Sequence, residues 1–302
     1  MTAVSRLREL LSRPQTHFIL ACYDALSTRM VAQAGYPLAF LSGYGVSASR
    51  LGLPDIGYST QTEVVAQVRD ICGPLPGFPL IVDADTGYGN AMNVRRTVVE
   101  LARAGAAALL LEDQVTPKKC GHIGPRAVVS RQEARMKIRA AVDARRESGQ
   151  DIVIVARTDA RRLLGFDEAL KRCLDFQEEG ADMVFMEALQ DVGEMQRFVR
   201  AMALPTWGNN SRGQENYMSY LPRATLRDIG FRIVTDPTLL FSVAQALRQH
   251  LEAHRADDEA AYPPQISFAQ MNAILGLADH TAIEDRYAPA AQAEAQAGTR
   301  AS

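Results

Sequence analysis

What most constrains this chain of 302 residues is a recurring unit: a short apolar run, a polar residue at its end, then an amphipathic stretch of helical length. Short apolar runs between turn residues read as buried strands, and strands that alternate with helices pair in parallel. The runs fall at residues 18–23, 38–41, 80–82, 107–111, 152–156, 183–186, 205–208 and 231–235. Helical stretches follow at 25–34, 91–104, 131–147, 165–179, 191–201 and 239–252, with Asp24 placed to cap the first and Gly35 to end it. Eight such units predict an α/β fold, a closed (β/α)8 barrel, whose site lies at the carboxyl ends of the strands. There Tyr23, Ser42, Asp83, Asp85, Glu112, Arg157, Glu187 and Asn209 would converge on one mouth. A doubly wound open sheet is the alternative, but its G-x-G-x-x-G fingerprint is missing.

A (β/α)8 barrel uses roughly 250 residues. We therefore expect a catalytic barrel over 1–255, a helical extension over 256–288 and a fraying tail over 289–302. The extension begins where Asp257–Glu259 is acidic and Pro263 and Pro264 break the chain. Its apolar helix over 268–277 has no strand to cover, so it is expected to pack outside its own barrel, against a second subunit. A net charge of -2 argues against nucleic acid or an anionic membrane as a partner held by bulk charge. No apolar run approaches the ~20 residues that cross a bilayer, and the first residues lack a secretory apolar core, so a cytoplasmic protein is expected. Cys22, Cys72, Cys120 and Cys173 are far apart with no C-x-x-C pair, which predicts reduced thiols. Cys22, Cys72 and Cys173 read as packing residues.

The chemistry concentrates in E-D-Q-V-T-P-K-K-C-G-H, residues 112–122. Cys120 stands between Lys118, Lys119 and His122, neighbours that favour a thiolate and suit proton exchange near neutral pH. A small buried apolar cysteine is the competing reading. Asp83 and Asp85, joined by Glu112 from the next strand, offer hard oxygen donors suited to Mg2+ or Mn2+; helix capping is the plain alternative. Arg157 offers a planar fork for a carboxylate, or an ion pair to Glu187. Ser42, Gly43 and Gly45 form a turn that could bring backbone N–H groups to an anion, or only a tight loop. A cation, two anion grips and a thiol acid together suggest a small carboxylate substrate with a hydroxyl or keto oxygen.

With these motifs on the page, the chain resembles the isocitrate lyase and phosphoenolpyruvate mutase superfamily over residues 15–285. V-D-A-D-T-G-Y-G-N at 82–90, E-D-Q at 112–114, K-K-C-G-H at 118–122 and A-R-T-D-A at 156–160 stand in family order, and L-G-L-P-D at 51–55 adds a fifth match. The length and that last segment most resemble methylisocitrate lyase and 2-alkylmalate lyase-like members. The resemblance implies a homotetramer, a dimer of dimers, that swaps C-terminal helices between subunits. It also implies Mg2+ near Asp85, helped by Asp83 and Glu112. It implies cleavage of a 2-hydroxy di- or tricarboxylate into an oxo acid, such as pyruvate or glyoxylate, and a dicarboxylate. Tyr23 would take the hydroxyl proton, and Cys120 would protonate the carbanion with help from His122 and Glu187. Ser42, Gly43, Gly45 and Arg157 would hold the oxo acid. Oxaloacetate hydrolysis or decarboxylation, mutase chemistry, and a non-enzymatic dicarboxylate-binding barrel are the alternatives.

Two departures bear on substrate choice. Where methylisocitrate lyases carry N-x-T-E-F-G, this chain has Asn209, Asn210, Ser211, Arg212 and Gly213. Where they carry Y-P-L-S-x-F-R, it has D-P-T-L-L-F-S, so Ser242 replaces an arginine that grips a carboxylate. Losing such a partner costs on the order of 2–5 kcal/mol. Fewer substrate carboxylates are expected unless Arg212 compensates, with Asn209 and Ser211 beside it.

Overall fold

The computed structural model describes residues 1–124, 127–211 and 220–287. Its chain order is α1 (Ala3–Ser12), β1 (His17–Cys22), α2 (Ala25–Gln33), β2 (Ala39–Leu41), α3 (Gly43–Val46), a π-helical turn at Ser47–Leu51, α4 (Gln61–Cys72), β3 (Leu80–Asp83) and α5 (Ala91–Ala104). Then follow β4 (Ala108–Glu112), α6 (Arg131–Ser148), β5 (Val153–Thr158), α7 (Ala160–Leu164), α8 (Phe166–Glu178), β6 (Met183–Met186), α9 (Val192–Ala201), β7 (Thr206–Asn209), α10 (Arg223–Ile229), β8 (Ile233–Asp236) and α11 (Leu239–Ala256). Each strand pairs with the next, and β8 closes on β1 in parallel, giving the expected (β/α)8 barrel.

The helix starts follow side-chain chemistry. Asp24 caps α2 by accepting the Ser27 N–H at 2.7 Å, and Ser27 returns a bond to the cap. Gly165, at φ 86°, separates the short α7 from α8, which fills the helix expected over 165–179. Four barrel helices, the short α3 and α7 and the longer α4 and α10, were not anticipated. Val64, Val65, Val68 and Ile71 pack α4 onto the barrel at helical spacing, behind the Thr60–Glu63 capping box.

The core has two layers. Outside the strands, helix faces bury residues such as Val98, Leu101, Ile138 and Phe176. Inside, Ile19, Ile81, Leu110, Val153, Val155, Met183 and Ile233 fill the barrel, and Leu7 and Leu11 of α1 join them. Because His17 and Arg232, at the starts of β1 and β8, bond the carbonyls of Leu10 and Leu11, α1 closes the amino end. Burying each leucine contributes roughly 2 kcal/mol. Trp207, stacked on Phe185 and edge-on to Phe40, tops the interior and floors the carboxyl-end mouth.

By compactness the chain divides into two units, Met1–Ala244 and Gln245–Ser302. In the second unit α12 (Phe268–Leu275) and α13 (Leu277–Asp285) follow a 3-10 turn at Glu259–Ala261. Among the described residues no helix is long and apolar enough to cross a membrane. The tail expected to fray, 289–302, lies wholly outside the described residues.

Candidate active site

After β3 the chain turns sharply, with Asp85 at φ 48° and Gly87 at φ 83°. The Asp85 N–H donates to Asp83 Oδ1 at 3.1 Å, and the Glu112 N–H donates to the Asp85 carbonyl at 2.9 Å. These bonds gather three buried carboxylates at neighbouring strand ends. The glycines of S-G-Y-G make the gathering possible. The Gly43 N–H donates to Asp83 Oδ2 at 3.2 Å, and a Cβ there would lie 2.8 Å from that oxygen. A Cβ on Gly45 would lie 2.7 Å from the Tyr23 Cβ. The segment is thus the start of α3, capped by Ser42, and not a free anion-binding turn: its first amide is already committed to Asp83.

The loop after β4 folds back over the mouth. Lys118 lies 2.7 Å from both Asp55 Oδ2 and Asp85 Oδ1, and the Cys120 N–H donates to the Asp55 carbonyl at 3.0 Å. Gln114 clasps Lys119 from both sides, accepting its N–H and donating to its carbonyl. Gly121 lies against Arg157 and Glu187, where a Cβ would meet Arg157 Nη2 at 2.5 Å and Glu187 Cγ at 3.0 Å. Burial would release the Lys118 proton, but Asp85, Asp83, Glu112 and Asp55 outweigh it and hold the ammonium charged.

One cavity of about 310 Å³ results, lined by Ser42, Asp83, Glu112, Lys118, Cys120, His122, Arg157, Glu187 and Asn209. Tyr44, Ile123, Pro237 and Phe241 add an apolar wall above the Phe40, Phe185 and Trp207 floor. Ser211 lines a smaller neighbouring cavity of about 40 Å³ with Glu187, His122 and Asn209. Tyr23, Gly43, Gly45 and Asp85 stand behind the lining residues, and Arg212 lies outside the described residues.

Three expectations change. Cys120 is not poised as a thiolate: burial, reinforced by the charge of Asp55, pushes its thiol up to about 12. Lys118, read as a cation favouring the thiolate, spends its charge on two aspartates. Tyr23 does not line the cavity, and burial beside Asp24 raises its phenol, so it is a poor base; Tyr44 of S-G-Y-G takes its place in the wall. Arg157 does pair with Glu187, at 3.4 Å, but its tighter partner is Asp159, gripped through Nε at 2.9 Å and Nη2 at 2.8 Å. Asp159, Asp55 and Tyr44 were legible only as parts of motifs, because their roles depend on contacts far along the chain.

The donor set fits a hard divalent cation. Glu112 Oε1 is buried without a hydrogen-bond partner, and burial drives its carboxyl well above the ordinary range, against the pull of Arg157. A cation beside that oxygen would relieve both. Among the described residues no three acidic, histidine or cysteine side chains form an all-protein cage. Mg2+ needs none, since it takes one or two carboxylates and keeps its waters.

Residues 7–255 match the model of the phosphoenolpyruvate phosphomutase family. The chain belongs to that family. It is 40% identical to 2,3-dimethylmalate lyase of Eubacterium barkeri over 95% of this chain and 99% of that protein. It is also 40% identical to 2-methylisocitrate lyase of Aeropyrum pernix, over 78% of this chain and 74% of the relative. Among solved structures, 2,3-dimethylmalate lyase superposes with a TM-score of 0.89 at 31% identity, covering 96% of this chain and 97% of that one. Phosphonopyruvate hydrolase, solved with oxalate and Mg++, gives a TM-score of 0.81 at 28% identity over 95% and 99% of the two chains. The chain is an enzyme of the carbon–carbon lyase group within the family.

Proposed function

We propose that this enzyme cleaves a 2-hydroxy dicarboxylate of the 2-alkylmalate type, releasing pyruvate or a related oxo acid, with Mg2+ or Mn2+ as cofactor. The observation that carries the reading is the two-sided cavity. It sets acidic donors and a protonated thiol against an apolar wall of Tyr44, Ile123, Pro237 and Phe241. Its two strong cations are already engaged, Lys118 by Asp55 and Asp85, Arg157 by Asp159 and Glu187. Ser242 stands exposed and uncharged where methylisocitrate lyases carry arginine. A third substrate carboxylate would therefore meet no uncommitted charge among the described residues lining this wall, whereas an alkyl branch buries apolar surface at about 25 cal/mol per Å².

Cleavage breaks the bond between the hydroxyl-bearing carbon and its substituted neighbour. The hydroxyl proton leaves to a carboxylate lining the cavity, and the O–H electrons become the carbonyl of the oxo acid. The carbon–carbon pair stays on the neighbouring carbon as an enolate. Cys120 gives its thiol proton to that carbon, with His122 and Glu187 beside it to restore the proton afterwards. Ser42, Asn209 and Arg157 orient the oxo-acid end. When bound by Asp85, with Asp83 and Glu112 directly or through water, a divalent ion supplies Lewis-acid stabilisation of negative charge at the oxo-acid oxygens.

The exposed apolar residues of the second unit, Phe268, Leu275, Leu277 and Ile283, support a tetramer with C-terminal helices exchanged between subunits. The deciding assay follows oxo-acid release from 2,3-dimethylmalate and from 2-methylisocitrate, with Mg2+ and after EDTA. Faster turnover of the dimethylmalate, lost with EDTA, is expected. Preference for the tricarboxylate overturns the substrate class, and cleavage that persists without metal overturns the mechanism.

A further inference from the structure

Arg172 lies on α8, in the outer ring, and does not line the cavity, yet its side chain is almost fully buried. Its Nη1 donates to Asp113 Oδ2 at 3.0 Å and to the Val129 carbonyl at 2.9 Å. Asp113 distributes that anchor. Its Oδ2 also accepts the Thr158 hydroxyl at 2.7 Å, and its Oδ1 accepts the Asp159 N–H at 2.8 Å. Asp159 in turn holds Arg157 through two parallel bonds. The Val129 N–H, where the loop over the mouth returns, bonds the Asp113 carbonyl at 2.9 Å.

We infer that Arg172 is a positioning residue for the lyase reaction, tying the return of the chain at Val129 to the orientation of the Arg157 guanidinium through Asp113 and Asp159. The physical ground is directional. A carboxylate saturated by an arginine, a hydroxyl and a backbone amide cannot rotate without leaving one of them unpaired in a dry interior. Asp159 is fixed by its own amide, so the fork it presents to Arg157 is fixed too. The same Arg172 nitrogen grips the chain where the loop ends, so loop placement and fork placement share one support. In the E-D-Q triplet, then, Glu112 faces the cavity, Asp113 faces the support and Gln114 clasps the loop.

The inference rests on the lyase reading, and its test separates the two. Trp207 is the single tryptophan; it stacks on Phe185, over whose ring Arg157 sits at 5.3 Å, so its emission reports pyruvate binding next to Arg157. Titration of the Mg2+-loaded enzyme with pyruvate is compared with kcat and KM on 2,3-dimethylmalate and with the thermal midpoint, for wild type, Arg172→Met, Arg172→Lys and the control Arg131→Gln. Arg131 joins α6 to Asp175 of α8 away from the cavity. Removing outer support of this kind lowers affinity or activity about 10- to 100-fold. Arg172→Met is expected to weaken pyruvate binding and kcat/KM in that range, Arg172→Lys to recover most of the loss, and Arg131→Gln to change neither. A folded Arg172→Met that binds and turns over as wild type overturns the inference. So does a loss that only tracks the thermal midpoint and recurs in Arg131→Gln. If Arg172→Met does not fold, Thr158→Val removes one donor to Asp113 without stranding a charge; a smaller fall in pyruvate affinity supports the tie, and unchanged affinity overturns it. Failure of the wild type to bind pyruvate or cleave dimethylmalate sinks the lyase reading instead.

Discussion

In the proposed reaction Cys120 serves as the acid, and burial suits it to that role by pushing its thiol up to about 12. A donor that must give a proton to carbon gains from staying protonated across the neutral range, and burial outweighs the pull of Lys118 and Arg157 toward the thiolate. Replacing it as Cys120→Ser leaves the cavity shape nearly intact but substitutes a poorer acid. We expect kcat to fall about 10²- to 10⁴-fold, the usual contribution of a positioned proton donor, while pyruvate binding followed by Trp207 emission stays within a few-fold. Full turnover by the serine variant would remove Cys120 from the mechanism. The motif singled out this residue, and the structure places it in the cavity wall, but burial raises its thiol where the flanking lysines were expected to favour the thiolate. The flanking lysines are near in sequence, yet Lys118 turns to Asp55 and Asp85, and the sequence does not show where a side chain turns.

At the scale of elements, the described part of the loop over the mouth, residues 115–124, is placed by bonds of very unequal strength. The Lys118 ammonium between Asp55 and Asp85 is the strongest, with all three side chains almost fully buried. Lys118→Met strands two buried carboxylates, and breaking one side of such a pair costs about 3–5 kcal/mol; denaturant unfolding should show a midpoint lowered accordingly, and an unchanged midpoint would mean the loop is held elsewhere. Gly121→Ala tests seating rather than stability. Its Cβ would strike Arg157 and Glu187, so kcat/KM on dimethylmalate should fall at least tenfold, as for a reacting group displaced by about 1 Å, with the thermal midpoint unchanged. Most elements were legible from period and punctuation: α5 runs over Ala91–Ala104 as read, with Asn90 as its cap. α4 escaped because its stretch carries no more apolar residues than polar ones, and only packing against the barrel separates its buried face from its exposed one.

For the whole molecule, two predictions concern assembly and acid–base stability. A tetramer of a 33.0 kDa chain should be seen by light scattering at about four times that mass, and Phe268→Asp together with Leu277→Asp should reduce it. A monomer in the unaltered protein would overturn the exchange of C-terminal helices. Burial pushes Cys22 up to about 12 and raises Cys173 well above the ordinary thiol range. An unfolded chain ionises these thiols near about 8.5, so the folded state binds more protons above that pH. Their contribution is complete below the unfolded value and is lost as pH rises through the folded ones. The thermal midpoint should therefore be flat from pH 7 to about pH 8.5 and fall beyond, less steeply in Cys173→Ala; an identical slope in that variant would exclude the thiol as a cause.

Barrel topology and many of the polar residues that line the cavity were written in the chain, because strand period, glycine placement and motif order are local or ordinal properties. Contacts between distant residues were not. That Gly43 spends its amide on Asp83, that Lys118 turns to Asp55 and Asp85, and that a helix-borne arginine underlies both the loop and the Asp159 fork became visible only once the barrel had closed. Closure brings residues separated by dozens of positions within 3 Å in a dry interior, and there each donor must choose one acceptor.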